Sequence, residues 1–258
     1  MTLSIQRPPG AADALFHRFE HPQPPINSQL TIAADECVVV VHNGAVLGIA
    51  PPGMHWLHPQ PFPFLIPAIV GDNAVQAELW FVKTAPVTGI QFGGALPAVV
   101  EPGTKVKCTC RAFGDFSLTV RDPARFVAAC VGSALTDPEP VLGWVKGLVM
   151  RQFGGAFAKE VEGGKSVQSR DLVPAVLDRI AGELGELDGM GFAVPNFGNA
   201  TVTVSEDDMA ALRDAKVQAA MAKGMPTARS ATLKCSRCAK PHDAGRFCVD
   251  CGGALATG

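Results

Sequence analysis

Little in this sequence points to a charge-driven partner, a secretory leader or a catalytic centre. Its 258 residues carry 22 Lys+Arg against 24 Asp+Glu, a net charge of -2, which excludes a globally basic nucleic-acid binder. The opening residues, MTLSIQRPPGAADALF, lack the continuous apolar core of a signal peptide, so a cytoplasmic location is expected. The 27 Gly and 21 Pro follow no collagen-like period, and a hydrophobic fraction of 47% is too high for a disordered chain. The HExxH and GxSxG patterns are both missing. Glu162–Ser166 resembles the end of a phosphate-binding loop, but Lys159 stands where its first glycine belongs. With no convergent set of acid, base and nucleophile, no enzymatic activity is expected.

The near-neutral average hides an asymmetry. Residues 215–258 carry a net charge of +5, and the preceding 214 carry -7. The longest stretch without Asp, Glu, Lys or Arg runs from Cys37 to Gly71. Its second half holds Pro51, Pro52, Pro59, Pro61, Pro63 and Pro67, and Asn43-Gly44 interrupts the first, so it cannot cross a membrane as a helix. Its large apolar side chains, Trp56, Phe62, Phe64, Leu65, Ile66 and Ile69, suit a loop that touches a membrane interface or a partner without spanning. His55 and His58 in the same region lack a carboxylate third ligand and read as turn residues.

The first half reads as antiparallel strands. Cys37–Val41 and Ala45–Ile49 flank Asn43-Gly44, the pair favoured in a type I′ hairpin. Val75–Val82 alternates through Gln76 and Glu78, which predicts one buried face. Lys105–Ala112 puts Val106, Cys108, Cys110 and Ala112 on one side. After Gly114-Asp115 the same alternation resumes through Phe116, Leu118 and Val120, suggesting a paired neighbour. The period then becomes helical. Thr136-Asp-Pro-Glu139 has capping-box spacing ahead of Val141, Trp144, Val145, Leu148 and Val149. A second helix is expected from Asp171, strand character returns over 192–204, and Ser205 caps a third helix ending near Lys223. Strands first and helices second predict an α+β domain.

The strongest chemical signal is C-terminal. Cys235-Ser-Arg-Cys238 and Cys248-Val-Asp-Cys251 are two CxxC knuckles separated by nine residues, the spacing that gathers four thiolates around a tetrahedral zinc ion. So short a module cannot bury an adequate core, and metal binding supplies about 10–16 kcal/mol in comparable peptides. Four ligands leave no open position, so Zn2+ would be structural. Cys37, Cys108, Cys110 and Cys130 read as small buried hydrophobes. Phe247 is the ribbon's only aromatic side chain, too few for a stacking platform, so nucleic acid is not the expected partner.

The order of motifs resembles the SPFH (Band 7; stomatin- and prohibitin-like) family, and within it the bacterial virion core protein-like branch that carries a C-terminal zinc ribbon. The match rests on Ser28–Ile32 with Glu36 and Val38–Val41, on Gly44 and Pro52-Gly-Met-His55, on Glu78–Phe81, and above all on Arg111–Phe126. Phe92-Gly93 stands where the family pattern has tryptophan-glycine. The resemblance implies an SPFH domain over 14–222, a linker over 223–233 and a zinc ribbon over 234–256. It further implies a non-catalytic scaffold that self-assembles, touches the inner face of the cell membrane peripherally, and recruits a protein partner through the ribbon, in membrane organisation or envelope stress. The membrane hairpin and long coiled coil of larger relatives have no counterpart in these residues.

Overall fold

The computed structural model of the chain describes residues 3–71, 73–224, 233–235, 237, 241–242 and 255–257. It divides into two units, one ending at Ala210 and one starting at Ala211. The first unit begins with nine strands: β1 (Ser4–Ile5), β2 (Phe16–Arg18), β3 (Gln29–Ile32), β4 (Glu36–His42), β5 (Ala45–Ala50), β6 (Gly53–Trp56), β7 (Ile69–Val70), β8 (Ala74–Val75) and β9 (Glu78–Lys83). They make a four-stranded sheet in the order β2-β9-β4-β5, a three-stranded sheet β1-β3-β6, and the pair β7-β8. Asn43 and Gly44 join β4 to β5 with φ of 50° and 80°, the two positive values that a type I′ turn demands and that glycine tolerates without strain.

Val38, Val40, Leu79 and Phe81 of the larger sheet share one apolar core with Ile5, Leu30 and Ile32 of the smaller. The opposite face of β4 and β9 is also covered. Trp80 is fully buried and stacks on Phe16 at 5.4 Å, and Phe16 meets Phe126 edge-on at 5.5 Å. The single buried face expected for Val75–Val82 is therefore corrected: Leu79 to Val82 are all buried, because a second layer packs on the far side. The strand is also shorter than expected. Gln76 and Ala77 give their amides to Ala68 and Pro22, outside the sheet.

Next come β10 (Val87–Ala95), the separate two-stranded pair β11 (Val99–Val100) and β12 (Lys107–Cys108), and β13 (Cys110–Val120). Helices α1 (Pro123–Gly132), α2 (Pro138–Glu162), α3 (Leu172–Glu183) and α4 (Gly185–Gly189) come next, then β14 (Phe192–Ala193), β15 (Phe197–Val204) and α5 (Glu206–Gly224). β13 lies between β10 and β15, with β14 on its last residues. It runs unbroken through Gly114-Asp115, where the sequence suggested a break. A Cβ at Gly114 would sit 2.7 Å from the Asn199 carbonyl and 2.8 Å from the Phe92 ring, so glycine here admits close packing and not a turn.

Asp122 caps α1 by accepting the Arg125 amide at 2.9 Å; this helix was not anticipated. The expected capping box is absent from α2. Its N-cap is Asp137, whose side chain makes no capping bond, and Pro138 opens the helix. The buried stripe of α2 runs through Val141, Val145, Leu148, Val149 and Phe153, and Trp144 stays 38% exposed. Ser205 behaves as expected, with its hydroxyl accepting the Asp208 amide at 3.3 Å. In the second unit, β16 (Leu233–Cys235) pairs antiparallel with β17 (Pro241–His242) and β18 (Leu255–Thr257). The mixed α+β architecture, sheets followed by helices, is the expected one.

Candidate contact surface

The charge-free segment folds as all of β4 after Glu36, then β5, β6, a 3-10 turn over Pro63–Ala68, and β7. This turn sorts the expected contact residues. Side chains three apart eclipse in a 3-10 helix, and Phe62, Leu65 and Ala68 form a buried stripe at that spacing. Phe62 and Leu65 are thus core residues in this structure, a correction of their expected role. Ile66 lies on the opposite side and is 62% exposed, Trp56 on β6 is 53% exposed, and Phe64 and Ile69 are half-buried.

Phe64 is seated by its neighbours. Its ring lies across Gly48, where a Cβ would approach within 2.5 Å, and it meets Phe62 at 5.4 Å between centroids. Any side chain at position 48 would displace it. Sequence reasoning overlooked Met54, the most exposed of the set at 67%, and also Ile49 and Val70. The missed signal is the two-residue period of β6, which puts Met54 and Trp56 on one side of an edge strand. Among the described residues β6 pairs with β3 alone, Trp56 opposite Gln29 and Met54 opposite Thr31.

The two histidines are engaged locally. His55 Nε2 lies 2.9 Å from the Pro51 carbonyl, and His58 Nδ1 accepts the Gln60 amide at 3.0 Å. Among the described residues no group of three or more His, Cys, Asp or Glu could hold a metal ion. At the start of β4, the Arg7 guanidinium sits 2.7 Å from Glu36 Oε2, both side chains 6% exposed. The Arg7 Nε–H is not aimed along that line, so the contact is ionic. The other guanidinium nitrogens donate to the carbonyls of Ala14 and Phe81 at 2.8 Å.

The thiols of Cys37, Cys108, Cys110 and Cys130 are buried. Burial pushes Cys37 and Cys110 up to about 11 and Cys130 to about 12, and raises Cys108 as well. None is a thiolate nucleophile near neutral pH. Burial, followed by the Arg7 charge, lowers His17. The expected zinc ligands Cys238, Cys248 and Cys251 lie outside the described residues, as does most of the expected linker; Cys235 closes β16. No helix among the described residues is long and apolar enough to cross a membrane.

The described residues thus include exposed apolar side chains at Met54, Trp56 and Ile66 and four buried, unreactive thiols. Comparison with curated proteins gives no match. A family model described as SPFH domain-Band 7 matches residues 16–212, a span that takes in both sheets, the apolar surface and helices α1 to α4. The chain therefore belongs to the SPFH domain-Band 7 family.

Proposed function

We propose that this protein is a non-catalytic scaffold that self-assembles through its SPFH domain, rests peripherally on the inner face of the cell membrane, and recruits a protein partner through a C-terminal zinc ribbon. Members of the family are often membrane-associated scaffolds and commonly oligomerise. The observation that carries the reading is the exposure of Met54, Trp56 and Ile66 within 35 residues that hold no charge. Large apolar side chains left exposed on a folded surface are candidates for an interaction site. Each would release about 1.5–3 kcal/mol on full burial, so two or three suffice for measurable binding. The segment has no basic residue to attract anionic lipid, which makes the apolar term dominant.

Liposome flotation of the whole chain tests this. Binding should persist at moderate salt and fall strongly for Trp56→Ser combined with Ile66→Ser, two exposed positions whose change leaves the core intact. Absence of flotation, or flotation removed by salt yet indifferent to the double change, would mean that the surface meets protein and not lipid.

The ribbon reading rests on the donor set: Cys235, Cys238, Cys248 and Cys251 supply four thiolates, and β16, β17 and β18 bracket the two knuckles in sequence. Elemental analysis should find about one Zn2+ per chain, lost in Cys248→Ser. Metal-free protein with a protease-resistant C-terminus would contradict it.

A further inference from the structure

We infer that Asn43 is a self-modifying site: the Gly44 backbone nitrogen attacks the Asn43 side-chain carbonyl carbon, His42 serves the departing nitrogen, and the asparagine becomes aspartate or isoaspartate. Of the five asparagines in the chain, Asn43 alone precedes a glycine. Both residues are exposed, and nothing lies within 4 Å of the place a Gly44 Cβ would take, so no neighbour obstructs ring closure. Asn27 provides the contrast. It too has a positive φ, 63°, and a small residue after it, yet the Ser28 amide donates to the Pro25 carbonyl at 3.2 Å and Ser28 is fully buried. The Gly44 amide makes no such backbone bond among the described residues.

His42 supplies what an Asn-Gly pair lacks by itself. The Gln76 carbonyl oxygen that touches His42 Nδ1 can only accept, so Nδ1 carries the ring hydrogen. Nε2 of the neutral ring then accepts the Asn43 side-chain N–H at 2.9 Å. The imidazole is thus anchored at one nitrogen and meets, with the other, the nitrogen that must leave. A positioned acid or base of this kind is worth about 10²–10⁴-fold.

The Gly44 nitrogen loses its proton to water and bonds to Asn43 Cγ. The Cγ–Nδ2 bond then breaks, and Nδ2 departs as ammonia with a third proton handed over by His42 Nε2, which has drawn one from water. Water opens the five-membered ring at either carbonyl, giving aspartate at one and isoaspartate at the other. One water is consumed and one ammonia released, with no oxidant or reductant. The turn resists closure, because Asn43 must leave its φ of 50°, but only the His42–Ala45 pair at the end of the β4–β5 ladder has to open. Opening at an exposed loop tip costs far less than global unfolding. Either product puts the first charge into the stretch from Cys37 to Gly71, and isoaspartate adds a main-chain carbon that a two-residue turn does not accommodate.

The test is to incubate the full chain at neutral pH and follow each asparagine-containing peptide by mass spectrometry, with isoaspartate counted by enzymatic methylation. Asn43 should convert first, while Asn27 remains an amide. His42→Phe should slow conversion about tenfold or more in the folded chain. In denaturing urea, where ring and amide no longer meet, parent and variant should convert at equal rates, which separates placement in the fold from an effect of neighbouring sequence. If circular dichroism shows His42→Phe to be misfolded, His42→Gln, which has no proton to hand over, replaces it. Three results would overturn the inference: Asn43 converting no faster than Asn27, the folded variant converting as fast as the parent or faster, or the same slowing in urea.

Discussion

The two main sheets are built from similar residues but are covered differently. The β2-β9-β4-β5 sheet is apolar on both faces, with Phe81 in one core and Trp80 against Phe16 and Phe126 in the other. The β10-β13-β15 sheet packs one face on α2, through Phe92, Phe116 and Phe153, and leaves the other bare, with Gly93, Phe113 and Thr201 in a row across it. A doubly covered sheet holds the fold and offers partners almost nothing. A singly covered one can change its outer residues at small energetic cost.

This contrast can be broken at its strong end first. Phe81→Ala opens a cavity between two packed layers and should destabilise by about 3–5 kcal/mol in urea unfolding; a loss near 1 kcal/mol would mean that the second layer is loosely packed. Next, Asp122→Ala removes the cap of α1, the helix covering the far face of the first sheet, at about 1 kcal/mol. Thr136→Ala should change nothing measurable, since no capping bond forms there. Equal losses at the two positions would mean that a capping box exists after all. The smallest effect is expected on the bare face: Phe113→Ala should shift stability by less than about 1 kcal/mol. A larger loss would show that this face is held by its own aromatic cover.

Much of this was legible in the residues. Asn43-Gly44, the α2 stripe and the Ser205 cap each announce themselves locally. The errors arose where two elements meet. Gly114-Asp115 looks like a turn until Phe92 and Asn199 press against it, although Cys110, Ala112, Phe116, Leu118 and Val120 keep one parity throughout and already argued for a continuous strand. Phe62 and Leu65 resemble Trp56 and Ile66 in composition, and only the three-residue spacing Phe62–Leu65–Ala68 separates inside from outside. That β10 has β13 as its one neighbour among the described residues leaves no trace in sequence, because it depends on which strands do not pair.

The Arg7 ion pair bears on the order in which the first lobe assembles. Its guanidinium reaches the Phe81 carbonyl, 74 residues away, and also Glu36 at the start of β4. Those acceptors come together only after β9 has joined β4 and β2, so Arg7 finds its partners once the loop between them has already closed. An interaction completed after the rate-limiting step leaves the speed of folding alone and raises the barrier to unfolding. Arg7→Ala is therefore expected to speed unfolding and leave the folding rate nearly unchanged, which folding and unfolding kinetics in urea would read.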